Sequence, residues 1–285
     1  MQEITLKAYG KINLALFVGK KRDDGYHDLS SVMQSVNLFD LVTLKKRTDD
    51  KITLSTNSEE IPSDRTNIAY KAAELMIKKF EILTGFDIFI DKKIPVGGGM
   101  AGGSTNAAAV IEGINALCEL NLSLEEMCCA VGKEIGADVP FCLFKRTAHA
   151  RGIGEKLEEV AELSNCYIVL VNPKVFISTG KIFSMMDEEE REYKECVEIL
   201  EALKERNFEK ICACLENDMQ KYTASCCDEI EKIIKALKNA GAGGAIMSGS
   251  GSTCFGLFKE KPDEEELEKE LGKYWYKVVE PVSFK

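Results

Sequence analysis

Ile94-Pro-Val-Gly-Gly-Gly-Met-Ala-Gly-Gly-Ser-Thr-Asn-Ala-Ala-Ala-Val-Ile-Glu-Gly-Ile-Asn115 changes character halfway along its length. Five glycines fall between Gly97 and Gly103, too dense for a strand or a helix interior, because each glycine forfeits backbone entropy on ordering. Ala107, Ala108, Ala109, Val110, Ile111 and Ile114 then form a strong helical run, preceded by Ser104, Thr105 and Asn106, residue types that open helices. A glycine loop that empties into a helix N-terminus presents unpaired N–H groups and the positive end of the macrodipole. That is a site for an anion, most often phosphate.

Two common phosphate motifs fit poorly. Gly98 and Gly103 have Walker spacing, but Ser104 stands where the lysine belongs. Gly97, Gly99 and Gly102 match the dinucleotide fingerprint Gly-x-Gly-x-x-Gly, with Glu119 at the distance of a ribose-binding acid. Yet Pro95 precedes the loop, and Glu119 follows a helix rather than ending a second parallel strand. A purely structural turn would need only one or two of these glycines.

With 285 residues the chain has room for one large or two medium domains. Hydrophobic residues at 45% and charged residues at 29% describe an ordinary globular composition. No apolar run has the length of a membrane span, and Met1 to Lys7 lacks the basic start and apolar core of a signal peptide. A cytoplasmic location with no membrane partner is expected. The net charge of -10 argues against nucleic acid as a partner. Eleven cysteines, with no Cys-x-x-Cys among them, sit mostly in apolar runs as small hydrophobes do in reducing compartments. The only histidines, His27 and His149, lie in no zinc-like cluster, and His149 has no evident role.

Outward from the loop, Ile4, Leu6 and Ala8 and then Ile12, Leu14, Leu16 and Val18 alternate at period two, as two strands or one bent one. Lys11 and Asn13 fall on the opposite parity. Taken alone, Lys11 reads as a solvated edge lysine. A charged turn from Lys20 to Gly25 delivers Tyr26 and His27, an aromatic–histidine pair able to grip a flat ring, or ordinary strand-start packing. Val32 to Val36, Leu41 to Lys45 and Lys51 to Leu54 read as short strands, Thr66 to Phe80 as a helix, and Phe86 to Ile90 as a strand leading through Lys92 into the loop. Downstream, Ser123-Leu-Glu-Glu126 resembles a capping box for a helix ending at Gly136. In Gly136-Ala-Asp-Val-Pro140 the lone carboxylate of Asp138 reads by itself as an N-cap, and Phe141 to Ala150 as a strand. Tyr167 to Val171 is a buried strand. Helices are expected around 188–206, 208–214 and 228–239, a strand at Cys254 to Phe258, and a surface helix from Asp263 to Glu270. A second glycine-rich segment, Ser248-Gly-Ser-Gly251, can either approach another backbone closely or form a plain hairpin turn.

Together these segments resemble the small-molecule kinase superfamily of galactokinase, homoserine kinase, mevalonate kinase and phosphomevalonate kinase. The resemblance is carried by Lys11-Ile-Asn-Leu14, by Arg22-x-Asp24-Gly-Tyr-His27, by the loop from Pro95 with Gly136-Ala-Asp-Val-Pro140, and by Ser248-Gly-Ser-Gly251. It implies an α+β fold of two domains, the N-terminal one (1–158, ATP-binding and catalytic) like the second domain of ribosomal protein S5. The C-terminal one (159–285, substrate-side) would be ferredoxin-like. Within the superfamily, the first two blocks are similar to those of a member that moves the γ-phosphoryl of ATP onto the 2-hydroxyl of a diphosphocytidyl methylerythritol, a step of non-mevalonate isoprenoid synthesis. The resemblance implies Asp138 as the base and Lys11 as its charged neighbour. Pro95, Val96, Gly97, Gly98, Gly99, Met100, Ala101, Gly102, Gly103, Ser104 and Thr105 would cradle ATP, with Ser104 or Thr105 as contacts to Mg²⁺. Lys92 and Asn67 match positions near the adenosine. Tyr26 and Phe183 would sandwich the cytosine, His27 would read its edge, and Asn13 and Thr179 would lie near the erythritol and diphosphate. Met100, Ala101 and Thr105 depart from the commoner Leu, Gly and Ser. A sister kinase or a non-catalytic nucleotide sensor are the alternatives.

Overall fold

A computed structural model describes residues 1–189 and 192–282. No helix among them is long and apolar enough to cross a membrane. The chain forms two compact units, the first made of Met1–Gly10, Leu38–Val96 and Ala101–Lys145, the second of Lys11–Asn37, Gly97–Met100 and Arg146–Lys285. Two long strands, β1 (Glu3–Lys21) and β2 (His27–Lys46), contribute one end to each unit.

In the first unit, β3 (Ile52–Thr56) runs parallel to β4 (Phe86–Asp91), which pairs antiparallel with Leu41–Lys46 of β2. Helices α1 (Ile68–Lys79) and α2 (Gly102–Leu117) pack against each other, and their apolar faces join the sheet in one core. Ala69, Ala72 and Ala73 of α1 and Ala107 to Ala109 of α2 are all buried there with Val42, Leu44, Ile88 and Ile90. Each large aliphatic side chain so buried contributes about 1.5–3 kcal/mol. Asn67 caps α1, its side chain accepting from the N–H of Ala69. After α2 come α3 (Leu124–Met127), opened by the Ser123–Glu126 capping box, a π-helical turn from Cys128 to Gly132, α4 (Lys133–Ile135), and α5 (Val139–Phe144).

In the second unit, Leu29–Met33 of β2 pairs with β5 (Ala148–Gly152), and β5 with β6 (Lys156–Glu159). The β7 strand (Tyr167–Asn172) is followed by α6 (Thr179–Met186), α7 (Val197–Lys204) and α8 (Phe208–Ala213). The short β8 (Glu216–Asn217) lies parallel to Ala15 and Leu16 of β1. Then come α9 (Gln220–Cys226), α10 (Glu229–Asn239), β9 (Gly244–Met247), β10 (Cys254–Phe258), α11 (Glu264–Leu271) and β11 (Trp275–Val279). The antiparallel order β11-β7-β10-β9 is ferredoxin-like, with the first and third strands of the set in the middle.

Three expectations are corrected. The strands at Val32–Val36 and Leu41–Lys45 are one, because Asn37 donates its N–H to the carbonyl of Glu280 instead of turning. Phe141 to Phe144 is helical, not extended: Pro140 in the first turn suits a helix start, and a short segment buried all round carries no period to tell helix from strand. The strand resumes at Ala148. The helix expected over 188–206 is confined to Val197–Lys204, and residues 190–191 lie outside the described residues.

Candidate active site

Parity in β1 does not decide the surroundings of Lys11. Ile12, Leu14 and Leu16 are buried as expected, but so is every residue from Gly10 to Gly19. Lys11 is 5% exposed and Asn13 4%, so Lys11 is no solvated edge residue. The Lys11 ammonium donates to Asn13 Oδ1 at 2.7 Å, and Asn13 in turn donates to Ser31 Oγ at 2.9 Å, which fixes both side chains.

The glycine loop is held by its carbonyls. Thr253 N–H donates to Gly98 O at 3.2 Å, Ser248 Oγ to Gly99 O at 3.0 Å, and Lys11 N–H to Met100 O at 3.2 Å. In a trans peptide, C=O and the following N–H point in opposite directions. The N–H groups of Gly99, Met100 and Ala101 are therefore aimed away from these anchors, as an anion-binding loop requires. Met100 in the turn is buried, 1% exposed. Gly99 is obligatory: at φ +72° a Cβ would fall 2.2 Å from Ser248 O. Ser248-Gly-Ser-Gly251 thus meets both expectations, since it joins the paired strands β9 and β10 and lies against the loop backbone.

Ala101 follows in the left-handed region, φ 56°, and opens α2 without a side-chain cap. No acidic side chain occupies the first turn of α2, so its N-terminal N–H groups and dipole are open to phosphate. Ser104 is half-buried in that turn and Thr105 is 2% exposed. Among the described residues no group of three or more His, Cys, Asp or Glu side chains could hold a metal ion. Magnesium ordinarily takes one or two side chains and completes its shell with phosphates and waters. The Ser104 hydroxyl fits that demand better than the buried Thr105.

Lys92, 6% exposed, donates to Asp40 Oδ2 at 2.6 Å. The same carboxylate accepts from the N–H groups of Lys93 and Ile94 and from Asn106 Nδ2, at 2.7, 2.9 and 2.8 Å. Asp40 thus ties the chain entering the loop to the second turn of α2. Its sequence signal was parity: Leu38, Asp40, Val42 and Leu44 share one strand face, and the other three are apolar. Asn67 is 8% exposed at the start of α1. Asp138 precedes α5 and makes no side-chain cap to it.

In the second unit Tyr26 is 57% exposed, while His27 is buried with its ring stacked on Phe183 at 4.6 Å between centroids and 16° between planes. His27 Nε2 lies 2.6 Å from Asp187 Oδ1, and Lys21 Nζ donates to Asp187 Oδ2 at 3.0 Å. The His27 hydrogen bond, reinforced by Lys21, holds the Asp187 carboxyl below its ordinary range. Nothing in the sequence marks Asp187. Thr179 Oγ1 and Ser250 Oγ are 2.8 Å apart, linking α6 to the second glycine segment. His149 is buried, with Nε2 2.9 Å from Ser30 Oγ.

The two units and the anchored glycine loop define an α+β small-molecule kinase of the GHMP kinases, whose N terminal domain matches residues 67–146 and whose C terminal region matches residues 199–277. The chain is 44% identical over 261 residues to a 4-diphosphocytidyl-2-C-methyl-D-erythritol kinase of Alkaliphilus oremlandii, covering 91% of this chain and 89% of the relative. It is 41% identical over 280 residues to that of Clostridioides difficile, covering 98% and 94%. The chain belongs to the 4-diphosphocytidyl-2-C-methyl-D-erythritol kinase family. A crystal structure of 4-(cytidine 5'-diphospho)-2C-methyl-D-erythritol kinase superposes with TM-score 0.82 at 28% identity, covering 99% of this chain and 100% of that one. Homoserine kinase from Cytophaga hutchinsonii, at 16% identity and TM-score 0.77 over 99% and 95% of the two chains, shares the fold.

Proposed function

We propose that this protein transfers the γ-phosphoryl of ATP onto the 2-hydroxyl of 4-diphosphocytidyl-2-C-methyl-D-erythritol, in the cytoplasm, as a step of non-mevalonate isoprenoid precursor synthesis. The observation that supports ATP use best is the loop whose carbonyls at Gly98, Gly99 and Met100 are tied down, leaving N–H groups turned outward beside an uncapped helix N-terminus. The acceptor is taken from the kinases of that name, which match along nine-tenths of the chain.

In this scheme residues 1–158 form the ATP-binding and catalytic domain and residues 159–285 the substrate-side domain. Pro95 to Thr105 hold the phosphates, with Asn67 and Lys92 toward the nucleoside. Asp138 takes the proton as the acceptor hydroxyl attacks the γ-phosphorus. The bond from that phosphorus to the bridging oxygen breaks and ADP leaves. Lys11, positioned by Asn13, steadies the charge on the transferred group. Phosphoryl transfer needs little covalent help, so fixed charge and orientation carry most of the catalysis. Magnesium, contacted by Ser104, would supply charge neutralisation on the nucleotide oxygens when bound. Tyr26, Phe183 and His27 take the cytosine, and Thr179 and Asn13 the diphosphate and erythritol.

The test is ADP release from ATP with and without the cytidyl substrate. Release that depends on that substrate is expected. A sister acceptor that turns over faster would replace the substrate, and nucleotide binding without any turnover would leave a sensor.

A further inference from the structure

We propose that Asp187, with Lys21 behind it, is a positioning residue that fixes the His27 imidazole so that its Nδ1 edge selects an amino-bearing pyrimidine over a keto one. The inference rests on His27 facing the nucleobase, as the proposed function has it.

Two contacts constrain the ring, and a third holds one of its partners. Phe183 lies parallel to it at 4.6 Å, which sets the ring plane and leaves no space for a base between the two rings. Asp187 Oδ1 lies 2.6 Å from Nε2. A carboxylate oxygen only accepts, so Nε2 carries the proton in this pair. Lys21 Nζ, at 3.0 Å from Oδ2, holds the carboxylate on its far side. The His27 side chain is 5% exposed and Asp187 24%, so the ring is withheld from water while its partner is supported from the rim.

The chemical consequence lies at the other nitrogen. With the Nε2 proton committed to Asp187, the neutral ring has its lone pair on Nδ1, and Nδ1 is an acceptor. An exocyclic amine, such as the 4-amino group of cytosine, supplies the matching donor. Uracil carries a carbonyl oxygen at that position, and two lone pairs would meet. A site that leaves a desolvated polar atom unpaired against the wrong ligand discriminates strongly. Phe183 sets the plane, while tautomer and direction are set by Asp187, a group outside the base-contacting set.

The experiment compares wild type, Asp187→Asn, Asp187→Glu and His27→Ala. The measurements are KM for the cytidyl substrate, KM for ATP, kcat, and the ratio of inhibition by CDP to inhibition by UDP. For Asp187→Asn we expect KM for the cytidyl substrate to rise about tenfold and the CDP-to-UDP preference to fall by a similar factor. ATP KM and kcat should stay within about twofold, and Asp187→Glu should recover part of the preference. Nitrogen-15 NMR of wild-type His27 should report the Nε2–H tautomer. An Nδ1–H tautomer in the wild type overturns the inference without any variant, and so does an unchanged CDP-to-UDP ratio in Asp187→Asn while His27→Ala abolishes the preference. If His27→Ala changes neither KM nor the ratio, His27 does not face the base and the underlying assignment is what fails.

Discussion

Asp40 and Lys92 meet at 2.6 Å with side chains 0% and 6% exposed, and the same carboxylate takes the N–H groups of Lys93 and Ile94 just before the glycine loop. Removing one partner of a buried pair leaves the other charge unpaired, which costs about 3–5 kcal/mol. Asp40→Asn keeps the shape and loses the charge. Urea unfolding should show a loss near the low end of that range, because an amide oxygen in place of Oδ1 can still accept from both backbone N–H groups. The KM for ATP should rise more than that for the cytidyl substrate, since Asp40 holds the loop entry. Unaltered stability would mean the pair is dispensable.

Ala101 stands at φ 56°, in the left-handed region where a Cβ crowds the backbone. That conformation costs an alanine about 1–2 kcal/mol. Glycine relieves it but adds about 0.4–1 kcal/mol of chain entropy to the unfolded state. Ala101→Gly should therefore stabilise the protein by about 1 kcal/mol or less, seen as a higher urea midpoint at unchanged slope. A lower midpoint would show that Ala101 makes packing contacts worth more than its backbone strain.

Ala101 also marks where sequence reasoning stops. The loop, the helix after it and the alternation in β1 and β4 were legible because glycine density and period are local properties. Ser123 was legible as a cap for the same reason. The burial of Lys11 was not, because covering both faces of β1 depends on distant segments. Asp187 was invisible, since only the fold brings it within 2.6 Å of His27, 160 positions away in the chain. The α5 helix was misread because Val139 to Phe144 is almost wholly buried and shows no amphipathic period. Asp40 lay in plain view, an acid on the core parity of a strand, and a stricter use of period two would have found it.

His149 shares Ser30 with the carboxylate of Glu195: its Nε2 is 2.9 Å from Ser30 Oγ, and Ser30 Oγ is 3.1 Å from Glu195 Oε2. Burial pushes the imidazole pKa down and Arg151 adds to this, while Glu195 and Glu158 oppose it. A base whose pKa is lowered by folding is protonated more readily in the unfolded chain. Between the lowered value and the ordinary one of about 6.5, the unfolded state binds more protons, so stability rises with pH across that interval. The contribution is complete above about pH 6.5 and is lost as pH falls. His149→Gln retains a hydrogen-bonding group but cannot titrate. The drop in Tm from about pH 7.5 to about pH 5.5 should be larger in wild type than in this variant. Equal drops would remove His149 from the acid response.

Asp138 directly precedes α5, whose Pro140 suits the first turn, and its side chain does not cap that helix. A carboxylate beside a helix start ordinarily accepts from the exposed N–H groups. In the proposed function this carboxylate takes the proton of the acceptor hydroxyl instead. Asp138→Asn preserves size and hydrogen-bonding shape while removing the ability to take a proton. Loss of a general base lowers kcat by about 100-fold or more. The KM values should move little, because an amide can still orient the acceptor hydroxyl. Steady-state turnover with both substrates saturating checks this, with urea unfolding to show that the fold is retained. If kcat falls less than about tenfold, Asp138 orients the hydroxyl and the proton leaves by another route.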